Sequence, residues 1–458
     1  MSFPRYERYK DSGMEWVGNL PSSWSINKIK FNTYVKGRVG WHGLNSNEFS
    51  DVGIHLVTGT DFENGFVSWN KCYRISEQRY IEDPYIQLRE NDLLITKDGT
   101  IGKLARVKGL PEQASLNSGI FLVRANDGTY LEDFLYWVLQ SFLFAHFMDL
   151  HKVGSTIQHL YQEVFNQFAF PIPSIPEQQT IATFLDRETA KIDALIAEQQ
   201  RLIELLKEKR QSVISHAVTK GLNPSAPMKD SGIEWLGKVP EHWEVCAIKR
   251  MTLLITDGAH ISPETGGGVY DFISTKDISD KGIDFEGCLK TTSSSYEYLV
   301  RTGCQPICGD ILFSKDGTIG RTVVIKDQRD FVVASSLIII RPDSDILDSS
   351  YFNYLCQSSV VVQQVEGFVK GAGLPRLSIQ NLLKVFGVFP SFVEQHSIVT
   401  FLDRETAKLD TLTAEAKAAI TLLQERRTAL ISAAVTGKID VRGLVSAKTE
   451  VKAETVPC

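Results

Sequence analysis

Few segments of this sequence combine residue types at the spacings that enzyme chemistry requires. Asp83-Pro84-Tyr85 is similar to the Asn/Asp-Pro-Pro-Tyr/Phe loop of amino-methyltransferases, but the second proline and a preceding glycine-rich cofactor loop are missing. Pro342-Asp343 could open a nuclease motif, yet no Glu-x-Lys follows at a usable distance. Phosphate-binding Gly-x-x-x-x-Gly-Lys-Ser/Thr, Gly-x-Ser-x-Gly and His-Glu-x-x-His motifs are also absent from the sequence. The pattern favours a binding protein over an enzyme.

Two identical polar segments are the most suggestive of ligand contact. Lys-Asp-Gly-Thr-Ile-Gly begins at Lys97 and again at Lys315. Asp-Gly between apolar runs predicts a tight hairpin, in which Asp and Thr would serve the backbone of the turn. Their near-identity indicates that these segments either hold phosphates or shape the fold, and the residues alone leave both interpretations open.

The hairpins belong to a repeat that covers most of the chain. Residues 10–24, KDSGMEWVGNLPSSW, return as 229–243, KDSGIEWLGKVPEHW, and the octapeptide FLDRETAK occurs at 184–191 and at 401–408. The offset between the copies falls from 219 to 217 residues along the chain. Between these landmarks the halves differ, for example in 62–90 and 279–308. The repeat predicts two modules of one architecture that act on different targets.

Each module reads as a β-rich region followed by helices. A strand, a hairpin and a further strand lead to an amphipathic helix, predicted over Leu131–Met148 and over Ser350–Val365, and then to a glycine loop. FLDRETAK opens a long helix in each half. Its apolar stripe has coiled-coil spacing at Ile192, Leu195, Gln199, Leu202, Leu206, Lys209 and Val213, and at the matching positions from Leu409 to Leu430. From Arg187 to His216 this helix would run about 45 Å. Its partner could be its own duplicate, a second copy of the chain or another protein.

Composition and charge narrow the class of protein. The chain of 458 residues is 43% hydrophobic and 23% charged, and it has no apolar run long enough for a membrane span. Seven scattered cysteines without an export signal predict reduced thiols and a cytoplasmic location. Only Cys304 and Cys308 lie close together, so we expect no zinc site and no other metal site. The net charge of −6 argues weakly against nucleic acid, but it does not exclude a local basic groove or a basic partner.

This combination of motifs resembles type I restriction-modification specificity subunits. The features that carry the resemblance are the KDSGxEWxGxxPxxW segments, the Lys-Asp-Gly-Thr-Ile-Gly hairpins and the FLDRETAK helices, up to about residue 440. The resemblance implies an α+β fold with two tandem target-recognition domains, pseudo-two-fold symmetry and two long antiparallel coiled-coil helices. The expected boundaries are 1–175 for the first recognition domain, 176–221 for the first helix, 222–392 for the second domain, 393–438 for the second helix and 439–458 for a disordered tail.

The resemblance also implies a function and partners. Each recognition domain would read one half of an asymmetric, bipartite target in double-stranded DNA, and the helices would set the spacing. The chain would have no catalytic centre or cofactor of its own. Methyltransferase subunits, expected as two copies, would carry S-adenosylmethionine, and restriction subunits would supply ATP- and Mg-dependent cleavage. The alternatives are a scaffold that binds proteins with its duplicated modules, and a standalone enzyme with an unrecognised site.

Candidate contact residues follow from polar side chains in glycine-containing loops, since these approach phosphates and base edges. For DNA they are Lys36, Arg38, Lys97, Thr100, Ser155, Gln158 and His159 in the first half, and His260, Lys315, Thr318, Lys370 and Arg376 in the second. Contact with partner subunits is expected for the charged residues of the octapeptide, Arg187, Glu188, Lys191, Arg404, Glu405 and Lys408. A solvated surface role is the simpler interpretation for each of them.

Overall fold

The chain folds into two compact units. The computed structural model describes residues 3–38, 44–151, 159–279, 282–369 and 375–444. Unit 1 comprises residues 1–198 and 419–458, and unit 2 comprises residues 199–418. Unit 1 is therefore built from both ends of the chain.

Unit 1 contains thirteen of the strands in the described residues and five short helices. The strands are β1 (Tyr9–Asp11), β2 (Asn19–Pro21), β3 (Ser25–Lys28), β4 (Thr33–Lys36), β5 (Ile54–Val57), β6 (Phe62–Glu63), β7 (Phe66–Val67), β8 (Tyr73–Ile75), β9 (Leu93–Thr96), β10 (Leu104–Arg106), β11 (Ala114–Leu116), β12 (Ile120–Ala125) and β13 (Ala169–Ile172). The helices are α1 (Ile29–Asn32), α2 (Glu77–Glu82), α3 (Glu132–Leu139), α4 (Phe142–Leu150) and α5 (Gln162–Phe165).

A six-stranded sheet with the order β4-β12-β9-β10-β7-β6 organises unit 1. Strand β12 is antiparallel to both β4 and β9. Successive side chains of β9 enter different cores, as the pleat requires: Leu93 and Ile95 join a cluster with α3 and α4, whereas Leu94 joins a cluster beneath β5 and β11. A three-stranded sheet, β11-β5-β8, covers that second core. The sheet is thus buried on both faces, and only its edges and strand ends reach solvent.

Unit 2 begins within a long helix, α6 (Ile175–Lys220), and ends within a second, α11 (Phe392–Val435). Its strands are β14 (Met228–Asp230), β15 (Lys238–Pro240), β16 (Glu244–Ala247), β17 (Thr252–Asp257), β18 (Tyr270–Ile273), β19 (Ile278–Ser279), β20 (Gly282–Ile283), β21 (Leu289–Thr291), β22 (Ile311–Ser314), β23 (Thr322–Val324), β24 (Phe331–Val333), β25 (Leu337–Pro342) and β26 (Phe386–Phe389). Its short helices are α7 (Ser293–Arg301), α8 (Ser349–Gln357), α9 (Ser359–Val369) and α10 (Ile379–Leu382). The central sheet has the order β17-β25-β22-β23, which matches β4-β12-β9-β10 of unit 1.

Each long helix contributes its first part to one unit and its last part to the other. In unit 1, Asp193 of α6 pairs with Arg427 of α11 at 2.9 Å. In unit 2, Arg210 of α6 pairs with Asp410 of α11 at 3.5 Å. As the residue number rises along α6, the residue number of its partner on α11 falls. This is the pairing expected of antiparallel helices.

The amphipathic helix predicted in each module is in fact two helices. In unit 1 the break falls at Ser141, whose hydroxyl caps α4 by accepting a hydrogen bond from the Leu143 amide. In unit 2 it falls at Ser358. A serine of a long helix contacts the backbone at each break. Ser432 of α11 accepts a hydrogen bond from the Phe142 amide at 3.1 Å, and Ser215 of α6 accepts one from the Ser359 amide at 2.8 Å. A serine ends the helix because its hydroxyl competes for the backbone groups of the next turn.

The predicted apolar stripe of the long helices is only partly buried. Ile192 is buried in unit 1 and Leu206 in unit 2, but Leu195, Leu202 and Leu412 are exposed. In the described residues, no helix combines the length and hydropathy needed to cross a membrane.

The segment after α11 packs into unit 1. Val441 is fully buried, and the Asp440 amide donates to the Pro4 carbonyl at 2.8 Å. Residues 439–444 of the predicted tail are therefore ordered against the amino-terminal segment, and residues 445–458 lie outside the described part of the chain.

Candidate nucleic-acid interface

One edge of the central sheet gathers most of the predicted contact residues of unit 1. Strands β4 and β9 both run antiparallel to β12, so they end at the same edge. Lys36 is the exposed last residue of β4. Lys97 follows β9, where its amide donates to the Gly119 carbonyl at 2.8 Å and its ammonium lies 5.2 Å from the centre of the Phe121 ring. Two cationic side chains thus flank the start of β12.

The Lys-Asp-Gly-Thr turn adds polar groups to this edge. Gly99 has a φ of 68°, a left-handed conformation that favours glycine and leaves Thr100 exposed at the tip. The imidazole of His159 contacts the Asp98 carboxylate, and the Leu160 amide donates to the Lys97 carbonyl at 2.9 Å. The structure therefore brings Lys97, Thr100 and His159 together. Ser155 and Gln158 lie outside the described residues.

Arg38 does not belong to this exposed edge. Its guanidinium is buried, donates to the Leu116 carbonyl at 3.0 Å and to the Ser115 hydroxyl at 3.3 Å, and forms an ion pair with Asp83. Burial lowers the pKa of Arg38, although the Asp83 charge opposes that shift. The expectation that Arg38 reaches a ligand from the surface is wrong for this conformation, because its donors are engaged inside unit 1.

The equivalent lysine of unit 2 has a different environment. Lys315 is buried, with 4% of its side chain exposed, and its ammonium pairs with the Asp257 carboxylate at the end of β17. The second oxygen of Asp257 lies 3.2 Å from Nε2 of the exposed His260. The sequence analysis missed Asp257; the only signal was its position at the end of a strand, next to a glycine. Thr318 is exposed at the tip of the turn, as Thr100 is in unit 1.

A second pair of equivalent contacts carries different side chains in the two units. Arg376 of unit 2 pairs with Asp316 at 3.1 Å, in the place of the His159–Asp98 contact in unit 1. The aspartates are identical in the repeat, whereas their partners are an arginine and a histidine. Lys370 lies outside the described residues.

The octapeptide divides into buried and exposed faces. Phe184, Leu185 and Thr189 are buried in unit 1. On the exposed face Glu188 accepts from both Arg187 and Lys191 at 2.9 Å. Unit 2 repeats this cluster: Glu405 accepts from Arg404 at 3.1 Å and from Lys408 at 2.9 Å. The hydrogen bonds from Lys191 and from Lys408 lower the pKa values of Glu188 and Glu405. We call these two clusters the helix triads.

Within the described residues, no group of three or more His, Cys, Asp or Glu side chains is arranged to hold a metal ion.

Comparison with known proteins decides what this repeated architecture is. The model of the type I restriction modification DNA specificity domain matches residues 43–205 and again residues 240–422. The chain belongs to this family. It is a DNA sequence-specificity subunit of a type I restriction-modification system, with one specificity domain in each half.

Relatives of this specificity subunit match it over most of their length. The type I restriction enzyme EcoBI specificity subunit of Escherichia coli is 22% identical over 86% of the chain and 82% of its own length. The EcoKI specificity subunit of Escherichia coli K12 is 21% identical over 92% of the chain and 90% of its own length. A solved chain, from work on complex assembly and conformational transition of the type I R-M system, superposes with a TM-score of 0.67 at 14% identity, over 91% of this chain and 98% of its own. That likeness supports the fold.

Proposed function

We propose that each unit of this specificity subunit reads one half of a bipartite, asymmetric sequence in double-stranded DNA. The observation that carries the proposal is the polar sheet edge, which has the same strand order and identical turns in both units but different side chains beside those turns. In unit 1 it presents Lys36, Lys97 and His159, and in unit 2 it presents His260 and Arg376. Two recognition units that share a fold but present different contact residues suit a target whose halves differ in sequence.

The cations at these edges are suited to different parts of the recognition. Unlike Lys315 and Arg376 of unit 2, Lys36 and Lys97 form no ion pair within the described residues. Their ammonium groups can therefore approach phosphates. His159 and Arg376 are each aimed by an aspartate of the repeated turn, and Arg376 could donate two hydrogen bonds to a guanine edge. We infer that the variable partners of Asp98 and Asp316 contribute to sequence discrimination.

The long helices are proposed to hold the two readers at a fixed spacing and to recruit methyltransferase subunits. The helix triads support recruitment, since the same three charges recur on the exposed face of each helix. Leu195 and Leu412, which occupy matching exposed positions of the two helices, add apolar surface nearby in sequence. A duplicated surface fits two copies of one partner. In this proposal the chain itself carries no catalytic centre; S-adenosylmethionine, ATP and Mg²⁺ belong to methyltransferase and restriction subunits.

Sequencing of methylated bases in a host that carries this chain with its partner subunits tests the proposal. The expected result is a two-part motif with a fixed gap. Arg376→Lys should then alter only one half of the motif, since a lysine cannot form the paired hydrogen bonds of a guanidinium. The matched control is Lys10→Ala, a change at an exposed lysine of β1 outside the sheet edge. A contiguous palindrome, or a change in both halves with Arg376→Lys, would contradict the model of two separate readers.

A further inference from the structure

A buried arginine fills the space between the central sheet and the long helix in unit 1. The guanidinium of Arg106, on β10, lies 3.1 Å from Asp186 and 3.3 Å from Asp133. It also stacks on two aromatic rings, at 4.6 Å from the centre of Phe66 and 4.3 Å from that of Tyr136. Carboxylates and aromatic ring faces within these distances are a favourable environment for a planar cation.

Unit 2 keeps one of the two carboxylates around this arginine but not the arginine itself. The repeat places Val324 at the position of Arg106, Asn353 at that of Tyr136 and Ser350 at that of Asp133, while Asp403 retains the carboxylate of Asp186. The pairing of β19 with β20 places Gly282 where the pairing of β6 with β7 places Phe66. The arginine and both rings that stack on it are therefore replaced by smaller side chains.

A cavity of about 510 Å³ lies at this position, wholly within unit 2. Unit 1 has a cavity of about 490 Å³ lined by Tyr136, Asp193 and Arg427, the counterparts of Asn353, Asp410 and Arg210, but Arg106 is not among its lining residues. Val324, Gly282, Asn353 and Asp403 all line the unit 2 cavity. Thr322 also lines it, and its side-chain oxygen has no hydrogen-bond partner in the described residues although the residue is only 6% exposed. The buried side-chain oxygen of Asn353 likewise finds no partner there. Buried acceptors are rarely left without a donor, so this cavity is suited to a guest that donates hydrogen bonds.

Two of the three cations that border the cavity are already paired with carboxylates, and the third, Lys326, is exposed. Arg210 pairs with Asp410 at 3.5 Å, and Arg329 pairs with Asp271 at 2.8 Å. Unit 1 has the counterpart of the first of these pairs, and it still accommodates Arg106 beside it. Asp403 accepts a hydrogen bond from the Tyr354 hydroxyl at 2.7 Å, and burial raises the pKa of that tyrosine to about 12. A neutral donor satisfies the geometry of the carboxylate but supplies no positive charge.

We propose that the unit 2 cavity binds a guanidinium group that the chain itself does not supply. The donor would be either a free small molecule or an arginine side chain of a partner subunit, and in both cases the guanidinium would lie against Asp403 with Thr322 and Asn353 as acceptors. This inference is independent of how the subunit reads DNA, because it rests on the internal comparison of the two units.

Titration of the full-length chain with ethylguanidinium chloride tests this site, with an equal ionic strength of sodium chloride as the control. The wild-type protein should show a saturable rise in Tm. Val324→Arg restores the internal cation and should weaken the apparent affinity at least tenfold. Asn353→Tyr, which restores the ring of unit 1, provides an independent block if the first variant does not fold. The absence of a saturable response in the wild-type protein, or an undiminished response in both variants, would overturn the proposal.

The reciprocal change provides a gain-of-function control, and assembly identifies the donor. Arg106→Val should create a second guanidinium-responsive cavity in unit 1, so its loss of Tm should be partly rescued by ethylguanidinium. The wild-type titration is then repeated with methyltransferase subunits bound. A response that persists assigns the site to a free molecule, whereas a response that disappears assigns it to a partner's arginine.

Discussion

The same lysine-to-alanine substitution in the two identical Lys-Asp-Gly-Thr-Ile-Gly turns should have different effects. It should mainly lower stability in unit 2 and mainly weaken DNA binding in unit 1. In Lys315→Ala, the partly buried Asp257 loses its cation. Removal of one member of a buried ion pair typically costs about 3–5 kcal/mol. Because 20% of the Asp257 side chain is exposed and His260 remains 3.2 Å away, we expect a cost at or below the bottom of that range, about 2–3 kcal/mol. In Lys97→Ala the main loss is the contact with the Phe121 ring, worth about 0.5–1 kcal/mol.

Urea unfolding monitored by hydrogen exchange separates the two units, since peptides from each report on its own stability. Lys315→Ala should lower protection in unit 2 and leave unit 1 unchanged. The matched control is Asp257→Ala combined with Lys315→Ala. This double variant should be more stable than Lys315→Ala alone, because it leaves no unpaired carboxylate.

For DNA binding, Lys97→Ala should have the larger effect and Lys315→Ala the smaller. If Lys97 contacts a phosphate, Lys97→Ala should reduce the slope of log K against log salt concentration by roughly 0.9, the value for one released counterion. Lys315→Ala should leave that slope unchanged under conditions where unit 2 is folded. Equal destabilisation by the two substitutions, or an equal loss of slope, would refute the assignment of different roles to the two lysines.

Three further changes test other parts of the structure. Arg38→Met should destabilise unit 1 by about 3 kcal/mol, since Asp83 loses its buried partner, without changing the salt dependence of DNA binding; urea unfolding and DNA titration measure both. The lowered pKa values of Glu188 and Glu405 mean that the helix triads are intact above the ordinary carboxylate pKa and are lost as pH falls through the lowered values. Glu188→Gln with Glu405→Gln should weaken assembly with methyltransferase subunits at pH 7, measured by sedimentation, while Tm changes little, because exposed ion pairs contribute little to stability. Cys356→Leu introduces the residue found at the matching position in unit 1 beside an apolar cavity of about 340 Å³, and calorimetry should show a gain of about 1 kcal/mol.

The duplicated features of the fold could be predicted from the sequence because their residues have local structural requirements. The Asp-Gly turns, the FLDRETAK helices and the glycine and tryptophan landmarks all recur at nearly constant offset. The helix breaks at Ser141 and Ser358 escaped prediction, since apolar residues continue on both sides of each serine. Each break is fixed by a hydrogen bond that a backbone amide donates to a serine of a long helix, 290 residues away in one case and 144 in the other.

The contact residues were harder to predict because burial depends on tertiary neighbours. Identical letters around Lys97 and Lys315 gave identical expectations, yet only Lys315 has an aspartate, Asp257, at the end of the edge strand of its sheet. The corresponding position in unit 1 is Gly37, next to Arg38, which turns inward to reach Asp83. The sequence pattern identified the loops, and the packing around them determined which charges remain available.

The assignment of residues 419–444 to unit 1 has a consequence for biosynthesis. The Leu430 to Val435 segment fills the same hydrophobic core as Trp24, Phe134 and Phe184, so that core is incomplete until the ribosome has made nearly the whole chain. Unit 2, whose residues are continuous in sequence, can close earlier. The nascent residues of unit 1 therefore remain incompletely folded, with apolar surface exposed, while more than 200 residues of unit 2 are synthesised. A premature stop within α11 would leave unit 2 nearly intact and unit 1 unfinished, and chaperone dependence should be concentrated in the amino-terminal half.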